Sequence, residues 1–293
     1  MTDLDSSDVV RVRLVFSYDG TDFAGWAAQP GLRTVQGVME DALARFLRHP
    51  HTGAVDHVRM TVAGRTDAGV HARQQVAHLD VARPVWDRMP GKSGRSHAQG
   101  FRDRLDGLTP ADITVHDAAV AAPGFDARFS ATERRYAYRI CDQRELRDPL
   151  TRRHVLWADE ALDVDALNEA SALLTGLRDF VPFCKARDGA TTIRELKEFS
   201  WRRETHGPDA GLVVATVRAD AFCHSMVRSL VGAVLPVGQG RRDLGWLLRV
   251  AGEERRSPAV AVAQAHGLTL EEVRYPADAD LAARAQLTRA RRE

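Results

Sequence analysis

The sequence predicts an α+β fold of two domains, each an antiparallel or mixed sheet flanked by helices. Three observations lead there. Runs such as Val9 to Tyr18 and Leu212 to Ala219 alternate in character and are rich in β-branched and aromatic residues, the period-two pattern of a half-buried strand. Other stretches repeat apolar residues every three or four positions behind a capping Thr, Asp or Ser, the mark of a helix with one buried face. Finally, the composition shifts at Ala119 to Gly124 (Ala-Val-Ala-Ala-Pro-Gly), which places a boundary between residues 1–121 and 122–293. A chain of 293 residues has room for one large or two ordinary domains.

Composition narrows the class. Apolar residues make up 44% and charged residues 28%, as in water-soluble globular chains. No run of eighteen apolar residues occurs, and Met1 to Asp8 is acidic and polar, so neither a transmembrane span nor a secretory signal is expected. Cys141, Cys184 and Cys223 lie far apart in sequence with no paired spacing, which suits a reducing cytosol and predicts a cytoplasmic protein. The net charge of +1 conceals 38 arginines beside three lysines. Arginine is preferred for planar, bidentate recognition of phosphate, but coding composition accounts for such a bias equally well. Clustering, not the total, decides whether a face is basic.

Taken in order, Val9 to Tyr18 is the first strand. It runs into the turn-forming Tyr18-Asp19-Gly20-Thr21-Asp22-Phe23-Ala24-Gly25-Trp26, with Gln29 and Thr34-Val35-Gln36 beyond. Thr34 caps a helix to about Arg48, whose stripe of Val35, Val38, Met39, Ala42, Leu43, Phe46 and Leu47 is core. Strands are expected over Val58 to Val62 and Gln75 to Val81. Trp86 to Gly100, rich in Pro, Gly, Ser and basic residues without periodicity, reads as a flexible loop, a solvated excursion in preference to an RNA-touching arm. A short helix over Phe101 to Leu108 and a strand over Asp112 to Ala119 complete the first domain.

Between its two strands lies Ala63-Gly64-Arg65-Thr66-Asp67-Ala68-Gly69-Val70-His71-Ala72. Gly64 and Gly69 admit backbone conformations closed to other residues and let a ligand approach closely. In an extended loop Arg65 and Asp67 point the same way. An arginine fork can hold a phosphate or a carboxylate, and an aspartate kept ionised beside it can act as nucleophile or base. A structural turn with a surface ion pair fits the same short pattern.

In the second domain, Phe125-Asp126-Ala127-Arg128-Phe129-Ser130-Ala131-Thr132-Glu133-Arg134-Arg135-Tyr136-Ala137-Tyr138-Arg139 ends in a strand. Tyr136, Tyr138 and Ile140 share one face, and Arg135, Ala137 and Arg139 the other. Aromatics interleaved with arginines can stack a splayed base and neutralise phosphates. A half-buried strand with a solvated basic face gives the same pattern. Asp163 caps a helix to Leu174, closed by Gly176. Arg194 to Arg203 and Leu212 to Ala219 form a strand pair about the turn His206-Gly207-Pro208-Asp209. An apolar helix then opens within Ala221-Phe222-Cys223-His224-Ser225-Met226-Val227-Arg228-Ser229-Leu230-Val231-Gly232, where Arg228 needs a partner if buried. Cys223-His224 has no second pair at metal-ligand spacing, so no metal is expected. Helices follow over Asp243 to Ala251 and from Ser257-Pro258 to Ala265. A last strand runs from Gly267-Leu268 through Tyr275, before a basic helical end carrying Arg284, Arg289, Arg291 and Arg292.

Four of these strings, in this order, resemble the motifs of the TruA-type tRNA pseudouridine synthases over roughly Val10 to Pro276. They are Tyr18-Asp19-Gly20 with Gly25-Trp26, the Gly64 to His71 loop without a mismatch, Phe125 to Tyr136, and Ala221 to Gly232. Two places depart from the family pattern: Leu105-Asp106-Gly107-Leu108-Thr109-Pro110 has Asp106 for Asn and Thr109 for Leu, and Ser229 stands for Asn. The resemblance implies the pseudouridine synthase fold, its domains meeting at a basic cleft, and a homodimer acting on tRNA. The implied reaction isomerises uridine to pseudouridine at positions 38 to 40 of the anticodon stem-loop, without cofactor or metal. It further implies Asp67 as the catalytic residue, Tyr136 in contact with the target base and Arg228 paired with the aspartate. Arg65, on the same loop, would fill the space of a flipped base or hold a phosphate. Leu268 would pack on the nucleotide, although a plain core role suits it equally.

Two other classes compete. An RNA chaperone that binds tRNA without turnover is opposed by the intact Asp67 and Tyr136. A phosphate- or nucleotide-binding hydrolase built on Arg65 and Asp67 would lack a Gly-x-x-x-x-Gly-Lys-Ser/Thr loop, a Gly-x-Ser-x-Gly elbow and a metal cluster.

Overall fold

The computed structural model describes residues 9–48, 58–92, 94–185 and 191–290. The readings of Met1 to Asp8 and of Arg291 and Arg292 lie outside these residues. In chain order the elements are β1 (Val9–Tyr18), α1 (Val35–Phe46), β2 (Thr61–Val62), β3 (His71–Ala82), α2 (Arg83–Trp86), α3 (His97–Asp106), β4 (Ile113–Val120), β5 (Glu133–Cys141) and β6 (Leu156–Trp157). There follow α4 (Val164–Ala172), β7 (Gly176–Asp179), β8 (Ile193–Arg203), β9 (Val213–Ala219), α5 (Met226–Gly238), α6 (Leu244–Ala251), β10 (Leu268–Arg274) and α7 (Leu281–Arg289). This is the α+β class expected. By contact the chain divides into two compact units, one running to Ala131 and regaining Tyr275–Arg289, the other comprising Thr132–Arg274.

In the first unit β1 lies between β3 and β4, antiparallel to both, and β2 pairs with β3. Strict alternation buries Val10, Val12, Leu14, Phe16 and Tyr18 on one face of β1. The Thr34 hydroxyl accepts the Gly37 amide at 3.2 Å, closing the orphaned first turn of α1 and sending Met39 and Leu43 into the core. The stretch expected to be a solvated loop is mostly exposed along its described residues, but core side chains anchor it and it ends inside a helix. Trp86 and Met89 are buried, and the Trp86 ring stacks on His97 at 5.9 Å. Ser96 and Gln99 form a reciprocal capping box, so α3 begins at His97, four residues before the predicted start. Asp106, which departs from the family pattern, is built into the structure: its carboxylate accepts the Val115 amide at 2.8 Å and ties α3 to β4.

Residues 122–131 stay with the first unit, past the expected boundary after Ala121. Arg11 donates to the Phe125 carbonyl at 3.0 Å, and the Nδ1 of His78 accepts the Ala127 amide at 3.0 Å. The returning segment closes on the same stretch: Tyr275 donates to the Ala127 carbonyl, Ser130 to the Leu281 carbonyl, and Arg289 pairs with Asp126.

The second unit orders its strands β10-β5-β9-β8-β7, all antiparallel, with β6 parallel to β5. β5 is therefore an inner strand, and its arginines are engaged with protein groups, Arg135 remaining partly exposed beside Glu272 at 3.2 Å. Arg139 is buried against Asp209 at 2.9 Å and Glu271 at 2.7 Å, and buried Arg134 donates to the Asp220 carbonyl. The hairpin of β8 and β9 returns the chain and sets Cys184 against Cys223, their Cα atoms 5.7 Å apart and their sulfurs bonded. That overturns the reading of unpaired thiols. The helix expected from Ser257 to Ala265 is also absent. Ser257 caps only a turn, because the backbone beyond it is engaged elsewhere: Ala263 exchanges hydrogen bonds with Arg228, and the Gln264 carbonyl accepts Tyr138.

Candidate active site

Arg65 and Asp67 belong to the first unit, and Tyr136, Arg228 and Leu268 to the second. The loop carrying Asp67 joins β2 to β3, and the turn following β1 wraps it. The Trp26 amide donates to the Thr66 carbonyl at 3.0 Å and the Gly69 amide to the Phe23 carbonyl at 3.3 Å. Glycine is required on the wrapping turn because backbone meets backbone. A Cβ on Gly20 would stand 2.0 Å from the Val70 carbonyl oxygen, and one on Gly25, at φ 96°, would stand 3.0 Å from the Thr66 carbonyl oxygen, closer than ordinary van der Waals contact. Within the loop Gly69 takes φ 77°, whereas Gly64 is not at positive φ and has open space where a Cβ would go. Only the second of the two bracketing glycines is needed for its backbone.

Beneath the loop lies a polar network that the sequence reading missed. The Tyr18 hydroxyl is 2.8 Å from that of Thr66, and the Gln75 amide donates to the Tyr18 oxygen at 3.2 Å and the Gly64 carbonyl at 2.9 Å. Gln75 is fully buried, and burial pushes the Tyr18 hydroxyl up to about 12, so it stays protonated and able to donate. At the far end, Nδ1 of buried His71 stands 3.0 Å from the Gly20 amide and 3.1 Å from the Asp19 carboxylate. On this base Asp67 is half-buried and Arg65 exposed. The arrangement presents one carboxylate on a loop whose backbone is fixed at several points, suited to a reaction needing a placed nucleophile or base.

In the second unit Tyr136 is an inner-strand residue, buried, with its ring 5.2 Å from Phe222 and edge to face. Leu268 opens β10 opposite Tyr138 and is also buried. Arg228, in the first turn of α5, donates to the Ala263 carbonyl at 2.7 Å, so a backbone oxygen anchors part of its guanidinium. Tyr138, fully buried, has its hydroxyl pushed above the ordinary tyrosine value by burial and is a core residue, as expected. Phe222, part of the string Ala221 to Gly232 that carries the resemblance, contacts Tyr136, a partnership the sequence reading did not foresee. A cavity of about 570 Å³ in the first unit, lined by Phe46, Met89 and Arg104 among others, includes none of these residues. Among the described residues no group of three or more His, Cys, Asp or Glu is placed to hold a metal, and no helix is long and apolar enough to cross a membrane.

Comparison with known proteins gives a consistent result. A family profile described as tRNA pseudouridine synthase matches residues 170–276. A protein named tRNA pseudouridine synthase A from Streptomyces griseus is 53% identical over 285 residues, covering 97% of this chain and 95% of that protein. One of the same name from Streptomyces avermitilis is 52% identical over 293 residues, covering 100% and 97% respectively. A third, from Bifidobacterium longum, is 46% identical over 299 residues, covering 96% and 99%.

Proposed function

The chain belongs to the tRNA pseudouridine synthase A family and is thus an isomerase of tRNA, and we propose that it converts uridine to pseudouridine at positions 38 to 40 of the anticodon stem-loop, with Asp67 as the catalytic carboxylate. The observation that best supports Asp67 is its footing: a half-buried carboxylate on a loop tied down by Tyr18, Trp26 and Gln75. In the reaction the N-glycosidic bond breaks, the uracil turns, and C5 becomes the atom bonded to the sugar while its hydrogen leaves. Nothing is oxidised and no water is consumed, so the stoichiometry calls for no cofactor. One ionised carboxylate can attack the sugar, deprotonate it, or add to the base, and all three routes need it placed and charged.

Arg65 and Arg228 are assigned to keep Asp67 ionised, because a nearby cation favours the charged form of a carboxylate. Extracting a base from a stem costs a few kcal/mol. Arg65, exposed on the same loop, is assigned to hold a phosphate or the vacated space, Tyr136 to stack on the uracil, and Leu268 to pack beside the nucleotide. The working form is proposed to be a cytoplasmic homodimer.

Tritium release from tRNA labelled at uridine C5 tests the assignment, because the label leaves only when that carbon is turned to the sugar. Wild type should release it, and Asp67→Asn and Asp67→Ala should bind tRNA and release none. Release by either variant at the wild-type rate would remove Asp67 from its role. Bound tRNA with no release by wild type would favour an RNA chaperone instead.

A further inference from the structure

Cys184 and Cys223, 39 residues apart in sequence, are joined across the second unit with a Cα separation inside the span that a disulfide bridges. Cys184 is buried behind the turn Val181–Phe183, whereas Cys223 is half-buried beside the exposed His224. The backbones are laced at the same place, the Lys185 amide donating to the His224 carbonyl at 3.1 Å. Cys223 thus sits between two groups of the proposed site. One residue before it, Phe222 meets the Tyr136 ring edge to face. Shortly after it, α5 begins, with Arg228 in its first turn. The chain enters α5 through Ser225 at φ 64°, the sole non-glycine residue at positive φ among those described, a conformation that persists only where its surroundings impose it.

We propose that Cys184 and Cys223 are a reversible redox pair: their disulfide tethers Phe222 against Tyr136 and slows turnover, and the dithiol form is the faster enzyme. This rests on the reading of Tyr136 as the base-stacking residue. Phe222 packs directly on the Tyr136 ring, so a base arriving to stack on that ring requires Phe222 to adjust, and a crosslink at the next residue resists that adjustment. The oxidant is a low-molecular-weight disulfide. The more exposed Cys223 thiolate attacks one of its sulfurs and expels a first thiolate. The Cys184 thiolate then attacks the Cys223 sulfur of the mixed disulfide and expels the second. The two protein thiols give up two electrons and two protons, and the small disulfide becomes two thiols.

The full-length protein is equilibrated in glutathione buffers from fully reduced to fully oxidised, then alkylated and weighed by peptide mass spectrometry. The same samples are assayed for tritium release and for amide hydrogen exchange. In oxidised samples Cys184 and Cys223 should be linked and Cys141 alkylated. Exchange over Phe222 to Arg228 should slow, and turnover should be lower by about five-fold or more, the low end of coupling between sites, returning on reduction. Cys223→Ser, and the double variant Cys184→Ser with Cys223→Ser in case the single one folds poorly, keep no half-exposed thiol here and should turn over at one rate in every buffer. Two free thiols after oxidation, or equal turnover and exchange in the two states, would overturn the redox pair. Absence of turnover in both states, with tRNA bound, counts against the proposed reaction alone, and masses and exchange still judge the pair.

Discussion

The hydroxyl oxygens of Tyr18 and Thr66 stand 2.8 Å apart, which fixes the residue before Asp67 to the last residue of β1. Gln75 on β3 bonds to the same Tyr18 oxygen and to the Gly64 carbonyl. The position of the loop is thereby tied to two strands of the sheet. Tyr18→Phe should leave Thr66 and Gln75 one partner short in a buried place, costing about 1–3 kcal/mol of stability. Turnover should fall at least ten-fold while the KM for tRNA stays nearly constant, since the change acts on the carboxylate and not on the RNA contacts. Denaturant unfolding and tritium-release kinetics read the two effects, and an unchanged turnover would separate the network from catalysis.

Two glycines near the same loop should behave oppositely. Gly20→Ala drives a methyl group into the Val70 carbonyl oxygen, at 2.0 Å before relaxation, and because backbone must shift it should cost about 1–3 kcal/mol and most of the activity. Gly64→Ala meets nothing within 4 Å and should change stability by no more than about 0.5 kcal/mol. Thermal unfolding of the two variants side by side distinguishes them.

Arg139 should prove structural. Its guanidinium stands between Asp209 and Glu271 and is nearly buried. Arg139→Met takes the cation from two carboxylates and should cost about 3–5 kcal/mol, seen as a large drop in the unfolding midpoint. A variant of wild-type stability but weakened tRNA binding would restore the strand's basic residues to RNA recognition.

Acid should loosen the first unit through His78. Burial, and then the neighbouring Arg11 charge, holds its imidazole below the usual 6.5, in the neutral form that accepts the Ala127 amide. The unfolded chain takes up that proton near pH 6.5 while the folded one does not. Stability from this group is therefore complete above pH 6.5 and declines as pH falls through the lower folded value. Urea midpoints at pH 7.5 and 5.5 should differ more for wild type than for His78→Gln.

What the sequence revealed and hid follows from the range of the forces involved. β1, α1, α4, α6 and the β8–β9 hairpin were legible because alternation, caps such as Thr34, Asp163 and Asp243, and turn residues act within a few positions. The Ser257-Pro258 signature is equally local, yet it lost to a distant demand, the engagement of Ala263 by Arg228 and of Gln264 by Tyr138. Basic residues around Trp86 and Met89 masked two core side chains. The Asp67 string was plain, but its support was not, since Gln75 in an alternating strand reads as one more exposed polar residue until burial shows otherwise. The Cys184–Cys223 bond needed a hairpin to close it.

The unit that holds Asp67 is not continuous in the chain. It regains Tyr275–Arg289 only after the whole of the other unit has been made, and those residues supply the bonds that close the stretch from Asp126 to Ser130. On the ribosome, therefore, this unit waits unsealed while Thr132 to Arg274 is translated, and its final contacts form last. A message truncated before codon 275 yields no half-enzyme with a finished Asp67 domain, only one whose Asp126 to Ser130 stretch is left unclosed for quality-control proteases.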